Sequence, residues 1–200
     1  LDLSHSQTGP MITVPDQKPQ PSTGIPPRTP MPPPDSDALV TIGMPVFNGQ
    51  RYLAPAIESV RAQTFSNWRL VIGDNASTDA TPDIAADFAR SDPRIRFIRR
   101  ESNIGAAPNF NDLFHLAETP YFKWAAHDDV LRPRFLEACL ERLQQDPGMA
   151  LCHSLTDHID AAGRFLGRID LERPLVSDRP SVRFKSALTT SYPSMVWGVM

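Results

Sequence analysis

The chain is poor in cysteine, with two thiols in 200 residues, Cys139 and Cys152, and no CxxC pair. That excludes a disulfide framework and the usual zinc-ribbon spacings, and leaves two thiols that read as small buried hydrophobes or as one pair. No apolar run reaches the roughly 20 residues that a bilayer-spanning helix needs. The opening residues, Leu1-Asp2-Leu3-Ser4-His5, lack the basic and apolar regions of a secretory signal. There is no block of five basic residues, and 20 basic against 23 acidic side chains give a net charge of -3. Counterion release therefore offers little drive toward nucleic acid, and no nucleic-acid partner is expected. Internal repeats are also lacking.

What is present divides near residue 38. Residues 1–38 hold ten of the 21 prolines, including Pro26-Pro27 and Pro32-Pro33-Pro34, and few large apolar side chains. Such a segment cannot offset its ordering entropy by burial, so it is expected to be a disordered or polyproline leader or linker. Its functional alternative is a Pro-rich recognition ligand. Residues 39–200 carry enough apolar material for one core.

In that second part, β-type runs alternate with helical ones. Leu39 to Val46, Trp68 to Ile72, Ile95 to Ile98 and Tyr121 to Ala125 read as strands. Between them, helical periodicity places Leu53, Ala56, Ile57 and Val60 on one face, then Ile84, Ala85 and Phe88, then Phe110, Leu113 and Phe114. A fourth helix starts at Pro133 and turns Phe135, Leu136, Cys139, Leu140 and Leu143 inward. Ser77, Thr78 and Asp79 are expected to cap the second helix. Met149 to Cys152 reads as a further strand, and Asp160-Ala161-Ala162-Gly163-Arg164 as a hairpin turn between Thr156–Ile159 and Phe165–Leu166. A short helix is expected over 181–188. The pattern breaks off in the apolar run from Met195 to Met200, and the chain is read as truncated at its C-terminus. Four strand-helix alternations argue for a doubly wound α/β layer, whose ligands bind at the C-terminal tips of the strands.

Two of those tips are acidic. Lys123-Trp124-Ala125-Ala126 runs into His127-Asp128-Asp129, and adjacent carboxylates repel unless a cation shares them. Val71-Ile72-Gly73 runs into Asp74-Asn75-Ala76-Ser77-Thr78-Asp79. Arg99-Arg100 reads as a solvated charge pair.

In this order, Val40 to Gly49, the helix ending in Gln63-Thr64-Phe65, the Asp74 turn, Asn103-Ile104-Gly105 with Asn109, and His127-Asp128-Asp129 resemble a family 2 glycosyltransferase of the GT-A fold. The resemblance covers residues 39–200 and implies a Rossmann-like, mostly parallel sheet flanked by helices. It implies transfer of a sugar from a nucleoside diphosphate donor, with UDP expected, to a saccharide or glycolipid acceptor with inversion. Pro45, Val46, Phe47 and Asn48 would line the nucleotide pocket, and Asp74 would accept from N3 of a uracil-like base. Asn103, Gly105 and Asn109 would shape the donor side. Asp128 would lie near the donor ribose or sugar, and Asp129 would ligate Mn²⁺ or Mg²⁺ on the diphosphate.

The chain departs from the family pattern at two places. The family's Asp-Asp-Gly-Ser is here Asp74-Asn75-Ala76-Ser77, and the first Asp of its DxD-like motif is Ala126. The catalytic base has no clear position and is expected beyond residue 200, with Asp157 and Asp160 as candidates by chemistry alone. The resemblance implies a place in cell-wall or polysaccharide assembly, in the cytoplasm, with peripheral association at the inner face of a membrane as the expected variant. A non-catalytic nucleotide-binding or scaffold domain of the same fold is the alternative. Nucleotidyltransferases are disfavoured because their Gly-rich opening is missing after Val40.

Overall fold

The computed structural model describes residues 38–169, 179 and 198–200. The Pro-rich leader up to residue 37 and the helix expected over 181–188 lie outside the described residues.

Ten elements follow one another: β1 (Val40–Val46), α1 (Leu53–Arg61), β2 (Trp68–Asp74), α2 (Thr81–Ser91), β3 (Ile95–Arg99), α3 (Ala106–His115), β4 (Tyr121–Trp124), α4 (Phe135–Gln145), β5 (Thr156–Ile159) and β6 (Phe165–Ile169). The first four strands form one parallel sheet in the order β3-β2-β1-β4. This is the Rossmann-like layer expected from the alternation. All seven residues of β1 are buried, as a central parallel strand covered on both faces requires. Because β4 returns to the far side of β1, the strand order reverses between them, and the C-terminal tips of β1, β2 and β4 share one rim.

The two faces of the sheet are filled differently. Val40, Ile42, Met44 and Val46 join Leu70 and Ile72 in a core with Leu53, Ile57 and Val60 of α1, Ala85 of α2, and Leu136, Leu140 and Leu143 of α4. Burying Leu53, Ile57 and Val60 contributes about 2 kcal/mol each, which fixes the register of α1. The opposite face presents Gly43 and Gly73 to α3. A Cβ at Gly43 would stand 2.9 Å from Phe122 and 3.2 Å from Leu113, and one at Gly73 would stand 3.0 Å from Leu113. α3 therefore packs against bare backbone at these two positions.

Several expectations are revised. Phe114 is not inward but 44% exposed, because Asn109 and Leu113 hold the sheet-facing stripe of α3. Its ring instead stacks on Trp124 at 5.7 Å and meets Phe122 edge-on at 5.1 Å. Met149 to Cys152 forms no strand; Cys152 makes a single antiparallel bridge with Val199. That bridge belongs to a short edge in which Met200 and Phe122 also exchange both backbone hydrogen bonds, at 2.7 and 2.9 Å. The β5–β6 hairpin forms as expected, with Asp157 opposite Arg168. Of residues 77–79, Asp79 caps α2, its Oδ1 accepting the Thr81 N–H at 2.9 Å, whereas Ser77 and Thr78 turn to Asn48 and the N-cap residue Ala80 makes no side-chain cap bond. Both cysteines are free.

Candidate functional site

The loops after β1 and β2 are bonded into one unit. Asn48, at φ 51°, donates its N–H to Ser77 Oγ at 2.8 Å and accepts from the Thr78 N–H through Oδ1 at 2.9 Å. The Gly49 N–H reaches Thr81 Oγ1 at 2.8 Å, and the Gln50 N–H reaches Asp79 Oδ2 at 3.1 Å. In return Gln50 Oε1 accepts from the Ala80 N–H at 3.0 Å. The Ser77 and Thr78 hydroxyls are thus turned toward the β1 tip, while the Asp79 carboxylate serves both that tip through Oδ2 and the Thr81 N–H of α2 through Oδ1. Here Pro45 and Val46 are buried strand residues, while Phe47 is 44% exposed beside them.

Asp74 ends β2 opposite Val46. Its side chain is fully buried, accepts the Ser77 N–H at 3.1 Å and stands 3.5 Å from Arg99 Nε. Arg99 also donates to the Ser77 carbonyl at 3.2 Å, which holds the turn from outside. Arg100 is not solvated: it is buried and paired with Asp112 at 2.7 Å.

A third loop closes on the same turn. Asn75 Nδ2 donates to Asn103 Oδ1 at 2.8 Å and to the Gly105 carbonyl at 3.1 Å, and Asn75 Oδ1 accepts from the Ile104 N–H at 2.9 Å. Gly105 enters α3 at φ 88°, a conformation that favours glycine. Asn109 is buried and donates to the Gly73 carbonyl at 2.8 Å, so its side chain pins α3 to β2.

The acidic turn leaves β4 beside this unit. The Ala125 N–H bonds the Gly43 carbonyl at 2.9 Å, and the His127 ring occupies the space over Gly49. A Cβ at Gly49 would fall 2.5 Å from that ring and 2.6 Å from the Val46 side chain. A continuous chain of contacts therefore joins Asp74, Ser77, Asn48, Gly49 and His127 to the Asp128-Asp129 pair. Asp128 and Asp129 are exposed. Among the described residues neither carboxylate accepts a hydrogen bond or pairs with a cation at salt-bridge distance. Desolvation first, then the Asp128 charge, raises the Asp129 pKa, with Lys123 and His127 opposing.

Behind the turn lies Lys123, 1% exposed and opposite Ile42 on the core face of β4. Its ammonium donates to the Trp124 carbonyl at 3.0 Å and stands 4.6 Å from the Phe135 ring. Burial lowers its pKa to about 8, against the attraction of Cys139 and Asp129. The far end of the turn is stapled to α1. Gln63 Nε2 donates to the Arg132 carbonyl at 2.9 Å, its Oε1 accepts from the Leu136 N–H at 3.0 Å, and Ser59 Oγ accepts from the Leu131 N–H at 3.0 Å.

No group of three or more His, Cys, Asp or Glu side chains able to hold a metal is present among the described residues. Two adjacent, partnerless carboxylates nevertheless fit part of the oxygen shell of Mg²⁺ or Mn²⁺, with water or phosphate oxygens needed to complete it. Ala126, where the family's DxD-like motif would offer another acid, brings no ligand.

The family model for glycosyl transferase family 2 matches residues 41–190. The chain belongs to that family. This family 2 domain is 31% identical over 129 residues to the chondroitin synthase of Escherichia coli, covering 64% of this chain and 18% of that one. It is 32% identical over 107 residues to the putative teichuronic acid biosynthesis glycosyltransferase TuaG of Bacillus subtilis (strain 168), covering 54% of this chain and 42% of the relative. Among solved structures, its fold matches the mannosyltransferase PcManGT from Pyrobaculum calidifontis in complex with GDP-Man and Mn²⁺ with a TM-score of 0.53. That match has 21% identity and covers 59% of this chain and 35% of that one. The domain thus spans less than half the length of each of these proteins.

Sequence reasoning singled out Asp74, Asp128 and Asp129 and gave no role to Gly49, Gln63 and Lys123, whose contacts shape the loops around them. One signal was available for Lys123: strand alternation in β4 puts it on the core-facing parity, where an apolar residue would be expected.

Proposed function

We propose that this domain transfers a sugar from a nucleoside diphosphate donor, UDP in the first instance, to a saccharide or glycolipid acceptor, with inversion and with assistance from a divalent cation. The observation that carries this reading is the shared rim, on which the Asp74 turn and the Asp128-Asp129 turn are linked through Asn48, Gly49 and His127. Phe47 and Asn48 offer an exposed face for the base, and Asp74 keeps carboxylate lone pairs beyond those used by Ser77. Asn103 and Gly105, held by Asn75, frame the donor side, with Asn109 fixing the helix behind them. Asp128 faces the ribose or sugar, and Asp129 ligates Mn²⁺ or Mg²⁺. Bound there, the ion supplies Lewis-acid relief of the charge that develops on the departing diphosphate.

The remaining requirement is a base on the opposite face of the sugar. Asp157 is held near a pKa of about 2, by hydrogen bonds from Arg168 and then Arg132, and Asp160 is lowered by its bonds to Arg164. Both are therefore weak proton acceptors, and neither is assigned as the base. The chondroitin and teichuronic acid relatives support a polysaccharide or glycolipid acceptor. Such acceptors favour work at the inner face of a membrane by a peripheral domain. Among the described residues no helix is long and apolar enough to cross a bilayer.

Calorimetric titration with UDP, with and without Mn²⁺, tests the site. Mn²⁺ is expected to strengthen UDP binding, and Asp129→Asn is expected to remove about tenfold or more of that gain. Equal UDP affinity with and without Mn²⁺ in the wild type would sink the metal assignment. Mass detection of a glycosylated saccharide, made by a protein extended to the length of its relatives, tests transfer itself.

A further inference from the structure

α1 ends with two side chains that reach past their own helix to the chain returning from the acidic turn. Gln63 is 7% exposed, and both ends of its amide are used. Its backbone N–H turns to the Val60 carbonyl at 3.2 Å, while Nε2 donates to the Ser59 carbonyl at 3.1 Å and the Arg132 carbonyl at 2.9 Å. Oε1 accepts the Leu136 N–H at 3.0 Å. Leu136 is the second residue of α4, whose N-cap, Arg134, makes no side-chain cap bond. One amide thus serves a carbonyl at the end of α1 and an N–H at the start of α4, work that local caps do in most helices. One turn earlier, Ser59 Oγ accepts the Leu131 N–H at 3.0 Å and donates to the Ala56 carbonyl at 2.7 Å. The Thr64 N–H adds a bond to the Pro133 carbonyl at 2.9 Å.

We infer that Ser59 and Gln63 are positioning residues for the metal-binding turn, holding its returning limb so that Asp129 keeps its place relative to the Asn48-Gly49 loop. The inference rests on the reading of Asp129 as a metal ligand. At the outgoing end the Ala125 N–H bonds the Gly43 carbonyl of β1, and at the returning end the Leu131 N–H bonds Ser59, so residues 126–130 hang between two anchors. Asp129 stands two residues from the second anchor. α1 itself starts from the loop after β1, where the Leu53 N–H bonds the Gly49 carbonyl at 3.0 Å. A divalent ion shared by Asp129 and a diphosphate needs the two loops at a set separation, because an octahedral oxygen shell tolerates little displacement. A local cap at residue 134 would start α4 equally well but would leave that separation unset. Ser59 and Gln63 set it by tying the turn to the helix that begins at Gly49.

Calorimetric UDP titrations with and without Mn²⁺, run well below each variant's melting temperature, test this. Ser59→Ala removes the acceptor of the Leu131 N–H, Ser59→Thr puts a hydroxyl back, and Gln63→Met removes the bonds to Ser59, Arg132 and Leu136 at similar length. UDP affinity without Mn²⁺ is expected to stay within about twofold of the wild type in every variant, because the Asp74 turn is held by its own bonds to Ser77 and Arg99. The factor by which Mn²⁺ strengthens UDP binding is expected to fall about 3-fold in Ser59→Ala and about 10-fold in Gln63→Met, and to recover in Ser59→Thr. Amide exchange across residues 125–136 should quicken in the same order. A merely structural role would lower both UDP affinities together, and that result overturns the inference. So does a Ser59→Thr variant as defective as Ser59→Ala. If Gln63→Met does not fold, the two Ser59 variants decide. If Asp129→Asn abolishes the Mn²⁺ gain while the Ser59 and Gln63 variants keep it, the inference alone fails. If the wild type shows no Mn²⁺ gain, the metal reading fails and takes the inference with it.

Discussion

Asn75 is 3% exposed, and its whole amide is engaged by the Asn103-Ile104-Gly105 turn. Two of those partners are acceptors, so a carboxylate here would face oxygen with oxygen. The departure from Asp-Asp-Gly-Ser at this position is therefore matched to the neighbouring loop. Asn75→Asp is expected to cost about 2 kcal/mol, seen as a lower urea midpoint at unchanged slope. An unchanged midpoint would mean that the bonds to Asn103 and Gly105 contribute nothing. The next residue departs at a cost: Ala76 sits at φ 63°, where the family carries glycine. Restoring it by Ala76→Gly is expected to add about 1 kcal/mol, with a higher melting temperature. Neither effect was legible in the sequence, where the two differences register only as missing family residues.

Among the elements, the four strands and four helices of the main layer were legible because burial imposes a period on each. The seven buried residues of β1 and the Leu53, Ala56, Ile57 and Val60 stripe of α1 leave no other reading. Met149 to Cys152 misled because its one bridge partner, Val199, is distant in sequence, and local apolarity carries no information about that pairing. Phe114 misled because helical periodicity gives a direction but not which neighbour lies there. The loops were less legible still, since their order comes from side chains bonding to backbone far along the chain. Gly49 is the sharpest case. Gly49→Ala should push the His127 ring aside and weaken Mn²⁺-dependent UDP binding by about tenfold, at an overpacking cost of about 1–3 kcal/mol. Calorimetry and thermal melting on one sample report both, and full binding by the variant would show that the ring's seat is immaterial.

The response of the whole molecule to pH follows from buried charges of opposite sense. Asp92, with a side chain 7% exposed, is lowered by its hydrogen bond from Arg94, with a further charge contribution from Arg61. Its folded pKa lies below the unfolded value, so its stabilisation is complete above that unfolded value and is lost as pH falls through the folded one. Lys123 works in the alkaline range. Its folded pKa, about 8, lies below the ordinary 10.5. Between those limits the unfolded chain holds the extra proton, so stability should rise with pH. The wild type should accordingly gain stability relative to Lys123→Met from pH 7 to pH 10.5 in denaturant titrations, and a constant difference would contradict the burial of that charge. At this scale the acidic pair proposed for the site stands out in the sequence by adjacency, whereas the buried cation of β4 is hidden in an otherwise apolar strand.

The bonds between Asn48 to Gln50 and Ser77 to Thr81 also bear on how donor preference could be re-engineered. Each loop supplies the hydrogen-bond partners of the other, so randomising one against a fixed copy of its mate breaks contacts that no single substitution restores. Libraries, and chimeras with homologues, should exchange the two segments as a matched cassette.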